Sequence, residues 1–220
     1  PCTRFKPHIL DQNIYDVVDP GLVAKMHKAI TVIQFKVEGQ IIKRHPEYGL
    51  NHRCLLEHVD FDKGTVEVDG KTYPMLDMKF PTIDPKDPLK LTEQEAELLQ
   101  TLKMSFRHSG LLHKHIKFLY SHGSMYKCCN NNLLYHGCIP LKKDGSFDDI
   151  VFYGIPYSGK ALMDFVDQMV QSAYFLPESN PDKGVASDFM WYLWCGAKSP
   201  LFGKEKMTTF EHYFIEDKAT

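Results

Sequence analysis

At Met125 the spacing of apolar residues changes, and that change rules out an all-helical or an all-β chain. Before it, Leu22, Met26, Ile30, Ile33, Val37 and Ile41 recur at helical spacing. Asp19 and Pro20 supply an N-cap and a first-turn proline for that helix, Pro46 ends it, and Gly39 is a weak point within it. Thr92-Glu93-Gln94-Glu95 forms a capping box for a second helix, with Leu98, Leu99, Leu102 and Phe106 as its buried stripe. Ser109-Gly110 interrupts it. A third helix carries Leu112, Ile116, Leu119 and Tyr120 and stops at Gly123. Within this helical part, residues 65–73 (TVEVDGKTY) predict a hairpin around Asp69-Gly70, and the three prolines of residues 80–90 (FPTIDPKDPLK) predict a loop.

From Met125 the period is two. MYKCC, three asparagines and LLYHGCIPL predict two short strands around a polar turn, and DIVFYGIPYS predicts a second hairpin. A helix follows, with Leu162, Phe165, Val166, Met169, Val170 and Ala173 on one side. ESNPDKG reads as a loop, SDFMWYLWCG as an aromatic-rich helix, and the last 22 residues as mixed, with room for a strand. The fold class expected is α/β. Residues 1–124 form a mostly helical region with a hairpin near 65–73, and residues 125–220 form strands over 125–155 followed by helices.

Charge narrows the partners. The chain of 220 residues has 26 basic and 28 acidic side chains, a net charge of −2, and no clustered basic excess of the kind nucleic acid requires. No stretch is long and apolar enough to span a bilayer, and no signal-like segment stands at residue 1. Six cysteines occur without any C-x-x-C pair, so the simplest reading is free thiols in a reducing cytosol. Adjacent Cys128 and Cys129 point to opposite faces of a strand and suit one metal poorly.

Two motifs suggest chemistry that their details oppose. Gly154–Lys160 (GIPYSGK) has phosphate-loop spacing, but Ala161 stands where a magnesium-binding hydroxyl belongs, and Pro156 lacks an N–H. A hairpin turn feeding a helix is the plainer reading. Histidines 108, 113, 115 and 122 crowd one region, but 113 and 115 face different sides of a helix and no H-E-x-x-H occurs. His136 is harder to set aside. It stands at the end of a strand, on the face of Leu134 and Cys138, beside a glycine that lets a ligand or another backbone approach. Spacing alone leaves a buried, satisfied histidine and a metal ligand both open.

NNNLLYHGCIPL resembles the histidine motif of the metallophosphoesterase superfamily, in which a strand delivers a metal-binding His followed by Gly. KMHKAITVIQFKVEGQII, FPTIDP, GSMYKCCNNNLLYHGCIPL, YSGKALMD and WYLWCGAKSPLFGKEKMTTFEHYFIEDK together resemble class III fructose-1,6-bisphosphatase, a gluconeogenic enzyme of Firmicutes and other anaerobic bacteria. The resemblance implies a calcineurin-like metallophosphoesterase α/β sandwich, with the helices before residue 125 as an insertion or cap. It implies hydrolysis of fructose 1,6-bisphosphate at C1 by water activated between two manganese ions, without a covalent intermediate. It makes His136 the catalytic metal ligand of this chain and Gly137 the close approach beside it.

The superfamily's D-x-H, G-D-x-x-D, G-N-H and G-H-T motifs do not occur here. The chain, which starts at Pro1, is therefore expected to be an internal fragment, inactive alone, that acts as part of a cytoplasmic, homo-oligomeric enzyme. On charge and loop context, Lys160, Lys204 and Lys206 are candidates for the substrate's second phosphate, and Asn131 and Asn132 for its hydroxyls or for orienting His136. A non-catalytic role for the helices, in oligomer contact or regulation, is the alternative.

Overall fold

The computed structural model describes residues 20–215. The class is α/β: about half of these residues are helical, and the strands form small antiparallel sheets. The chain separates into two compact units. One holds residues through Lys103 together with those from Thr208, and the other holds Met104–Met207.

In the first unit, helix α1 (Pro20–Arg44) runs to the residue before His45-Pro46, as the proline requires. The expected cap Asp19 lies outside the described residues. The apolar series of α1 is buried only in part: Ile33 and Ile41 are buried, whereas Leu22, Met26 and Ile30 are exposed and Lys28 and Lys36 are buried beside Ala29 and Val32. The reason lies in the three-proline loop, whose backbone carbonyls have no ladder to enter. Lys36 Nζ donates to Thr82 O (2.6 Å), Gln40 Nε2 to Leu89 O (2.8 Å) and Lys28 Nζ to Lys79 O (2.9 Å). The polar heads of α1 thus satisfy the loop, while Ala29 and Val32 pack against Phe80 and Ile83. Gly39 is a contact here rather than a weakness: a Cβ there would lie 2.5 Å from Leu89 Cδ2.

Strands β1 (Val59–Asp60), β2 (Thr65–Val68) and β3 (Lys71–Pro74) form a three-stranded antiparallel sheet in that order. The expected hairpin is β2–β3, and Asp69 (φ 51°) and Gly70 (φ 76°) are both left-handed, as its two-residue turn demands. Helix α2 (Glu93–His108) starts on the expected box, with Thr92 N donating to Glu95 Oε2 and Glu95 N to Thr92 Oγ1. Helix α6 (Thr209–Phe214) closes the unit through Phe210 and Phe214 against Phe35, and through a two-pronged ion pair between Arg53 and buried Glu211 (2.6 and 2.9 Å). The strand considered for the C-terminal region is a single bridge, Met75 to Ile215.

The second unit contains helix α3 (Gly110–His122), hairpin β4 (Tyr126–Cys129)–β5 (Asn132–Tyr135), hairpin β6 (Ile150–Phe152)–β7 (Ile155–Tyr157), and helices α4 (Gly159–Phe175) and α5 (Asp182–Cys195). Its core is aromatic. Phe152, 1% exposed, meets the rings of Phe165, Phe189 and Tyr192 at 5.0–5.4 Å. The division at Met104 differs from the expected one at 124 because α3 packs on α4: Tyr174 stacks edge-on against Tyr120 and exchanges a hydrogen bond with His113 Nδ1 (2.8 Å).

The expected buried stripe of α2 is corrected: Leu98, Leu102 and Phe106 are exposed and Leu99 is half-buried. On α3, Leu112 and Leu119 are exposed, while Ile116 and Tyr120 are half-buried.

Candidate functional site

His136 directly follows β5, whose four residues are all exposed, and its own side chain is exposed too. Among the described residues it is thus not packed as a core histidine. The ring has no hydrogen-bond partner among the described residues, so either ring nitrogen is free to meet a ligand.

Local sequence explains how the histidine is presented. Asn130 (φ 51°) and Asn131 (φ 61°) both adopt the left-handed conformation that a two-residue hairpin turn needs, which asparagine tolerates. Below the turn, Cys129 pairs with Asn132 and Tyr126 with Tyr135, so the register ends one residue before His136. The hairpin is anchored at its base, where Met125 N donates to Asp167 Oδ1 (2.9 Å) and Tyr126 Oη to Asp164 Oδ1 (3.0 Å). Burial pushes the Asp167 carboxyl up from its ordinary value, and the Met125 N–H opposes that rise.

Beyond His136 the chain is pinned to the loop after α5. Cys138 N donates to Pro200 O (2.9 Å), and its Sγ contacts Ser199 O (3.4 Å). Gly137 makes this possible. A Cβ on it would stand 2.2 Å from Pro200 O, so the space beside the glycine belongs to that backbone. Gly137→Ala is therefore expected to destabilise the unit by about 1–3 kcal/mol, read as a lower urea midpoint. An unchanged midpoint would show the contact to be unimportant.

The other candidates are dispersed. Asn131 sits at the hairpin tip, five residues and thus roughly 17 Å from His136 along the strand, and Asn132 Nδ2 donates to Asn130 O (3.1 Å). Lys160 is committed to Asp164 (2.6 Å) one turn along α4, and this bond, with Tyr126 beside it, raises its pKa. GIPYSGK is a hairpin turn at Tyr153-Gly154 followed by the start of α4, not a loop wrapped for phosphate. Histidines 108, 113, 115 and 122 are all exposed, and three of them bond within the protein: His108 to Met104 O, His122 to Phe118 O and His113 to Tyr174. Among the described residues no three His, Cys, Asp or Glu side chains converge as a metal-binding group. Lys206 is half-buried, whereas Lys204 is exposed.

Lys204 also borders a cavity of about 340 Å³ that begins at Cys138 and is closed by Asp148, Lys198 and Glu205. Lys198 Nζ pairs with Asp148 (2.9 Å) and donates to Asp149 O (3.2 Å), which holds the Asp148 carboxyl below its ordinary value. Spacing gave no signal for this grouping, since its two walls are some sixty residues apart and are brought together by tertiary contacts such as the Cys138–Pro200 bond and the Lys198–Asp148 ion pair.

Comparison with known proteins gives the context. The family model described as Firmicute fructose-1,6-bisphosphatase matches residues 1–220. The class 3 fructose-1,6-bisphosphatase of Clostridium tetani is 53% identical over 220 residues, that of Alkaliphilus metalliredigens 52% over 221, and that of Finegoldia magna 49% over 219. These alignments cover 99–100% of this chain but only 33–34% of each relative, so the chain spans about a third of the length of the curated relatives it matches. No solved structure matches it. With the match running from the first residue to the last, the chain belongs to the Firmicute fructose-1,6-bisphosphatase family.

Proposed function

We propose that this chain is the central section of a fructose-1,6-bisphosphate 1-phosphatase, a cytoplasmic enzyme of gluconeogenesis. The observation that carries the reading is an exposed, unpartnered His136 at a strand end, within a family match that runs through the whole chain. Residues 125–155 then belong to a metallophosphoesterase sandwich whose remaining strands lie in the rest of the polypeptide. The exposed faces of β4–β5 and β6–β7, with Leu133, Leu134, Tyr135, Val151 and Ile155, suit that role.

The described residues do not by themselves fit a two-manganese centre, because they offer one imidazole and no carboxylate converging with it. This chain's contribution is positional: a hairpin anchored on α4 and a backbone pinned at Pro200 hold that imidazole in place. Asn131, Asn132, Gly137 and Lys160 then serve the turn, the backbone approach and the helix surface rather than the sugar.

A second reading is compatible with the first. Leu98, Leu102 and Phe106 of α2 and Leu111, Phe118 and Leu119 of α3 are exposed, which favours a contact role for these helices as cap or as homo-oligomer interface.

Phosphate release from fructose 1,6-bisphosphate with manganese is the test. A full-length polypeptide containing this segment is expected to turn over, and the isolated 220-residue chain is expected to show no turnover above background. Inactivity of the full-length polypeptide overturns the reading; robust activity of the isolated chain overturns the dependence on the missing sections.

A further inference from the structure

We infer that the cavity between residues 138–141 and 197–205 is the pocket that recognises the far end of a phosphorylated sugar, with Lys204 holding a phosphate monoester and Glu205 accepting from hydroxyls. The inference rests on the function proposed above and assigns that substrate's specificity to residues of this chain.

Position comes first. Cys138, on the cavity wall, is two residues from His136, so the cavity begins within about 7 Å of the histidine's backbone. A substrate whose reacting phosphate lies at His136 is therefore within reach of it. Preorganisation comes second. The two walls are joined by the Cys138 N to Pro200 O bond and by the Gly137 contact, so the pocket does not have to be assembled on binding. The volume of about 340 Å³ lies in the range for a small ligand.

Charge comes third and decides the chemistry. Lys198 and Asp148 neutralise each other. Lys204 and Glu205 have no hydrogen-bond or ion-pair partner among the described residues, and both face the cavity. A free ammonium beside a free carboxylate does not suit a bare polyanion, which the carboxylate would repel, nor a neutral sugar, which leaves the ammonium unused. It suits a molecule with a phosphate at one end and hydroxyls along its length. Ile139 and Leu141 supply apolar wall for the C–H face of such a sugar.

Steady-state kinetics of the full-length polypeptide on two substrates test this. With fructose 1,6-bisphosphate, Lys204→Met is expected to raise KM about 10- to 100-fold while kcat stays within about twofold, the loss of one charge-assisted contact made equally in ground and transition states. With fructose 1-phosphate, which lacks the second phosphate, Lys204→Met is expected to change nothing, whereas Glu205→Gln should raise KM for both sugars. Lys204 is exposed, so its replacement leaves folding intact. A KM unchanged by Lys204→Met, or one raised equally for both substrates, overturns the pocket assignment while the proposed function stands. A wild-type polypeptide that releases phosphate from fructose 1-phosphate but not from the bisphosphate overturns both.

Discussion

Alanine in place of His136 is expected to lower turnover of fructose 1,6-bisphosphate by the full-length polypeptide by about 10³-fold or more. Removing a metal-facing imidazole withdraws several kcal/mol of transition-state stabilisation, and each 1.4 kcal/mol is a factor of about ten. The same change is expected to leave stability within about 0.5 kcal/mol, because the side chain is exposed and makes no bond among the described residues. Those two expectations together separate the functional reading from a structural one. A histidine that stiffens the strand end would lower the unfolding midpoint and spare kcat. Bound manganese, measured after gel filtration, is a third readout and should fall with activity. Turnover within tenfold of wild type, with normal metal content, would remove His136 from the site.

The sequence carried the elements well where local chemistry specifies them. The Thr92–Glu95 box, the Asp69-Gly70 turn and the proline stop after Arg44 are each satisfied within a few residues, so the signal and the structure share one cause. Burial was less legible. The apolar series of α1 holds at Ile33 and Ile41, which are buried, but Leu22, Met26 and Ile30 are exposed and Lys28 and Lys36 turn inward, because a long loop with three prolines needs donors for its carbonyls. No periodicity reports that need. The stripe of α2 is amphipathic as expected but largely uncovered, since a pattern specifies which face is apolar and not whether a partner is present.

The site divides in the same way. His136 stood out by its neighbours, and the resemblance gave it a role. The turn asparagines stood out as well, but left-handed backbone at Asn130 and Asn131 explains them without a ligand. The residues that line the cavity with Lys204 were invisible, because a bond between Cys138 and Pro200 assembles them and neither residue advertises it.

Lys36→Met is expected to have the largest effect on stability, about 3–5 kcal/mol. Lys36 is fully buried on α1, and its ammonium donates to Glu95 Oε2 (2.8 Å) and to Thr82 O (2.6 Å). The same Glu95 oxygen takes the Thr92 N–H that caps α2 (2.8 Å), so one side chain ties together a helix, a loop and a helix start. Methionine keeps most of the stem and removes the charge, leaving the Glu95 carboxylate buried without its counter-ion. Lys36→Met with Glu95→Gln is expected to recover much of the loss, since the neutral amide no longer needs a cation.

The pH dependence of urea unfolding tests the origin of the effect. In the native protein, burial acts to raise the Glu95 pKa, but Lys36 and the Thr92 N–H more than offset it, and the folded value lies below the ordinary one. The stability this carboxylate contributes is therefore present above the unfolded carboxylate pKa and is lost as the pH falls through the lower folded value. In Lys36→Met the main offset is gone, burial raises the folded value, and protonation relieves the buried charge. The gap between the two proteins should consequently narrow as the pH falls from 7 to about 3. A gap of constant size would mean that Lys36 stabilises the fold through its packing and its bond to Thr82 alone.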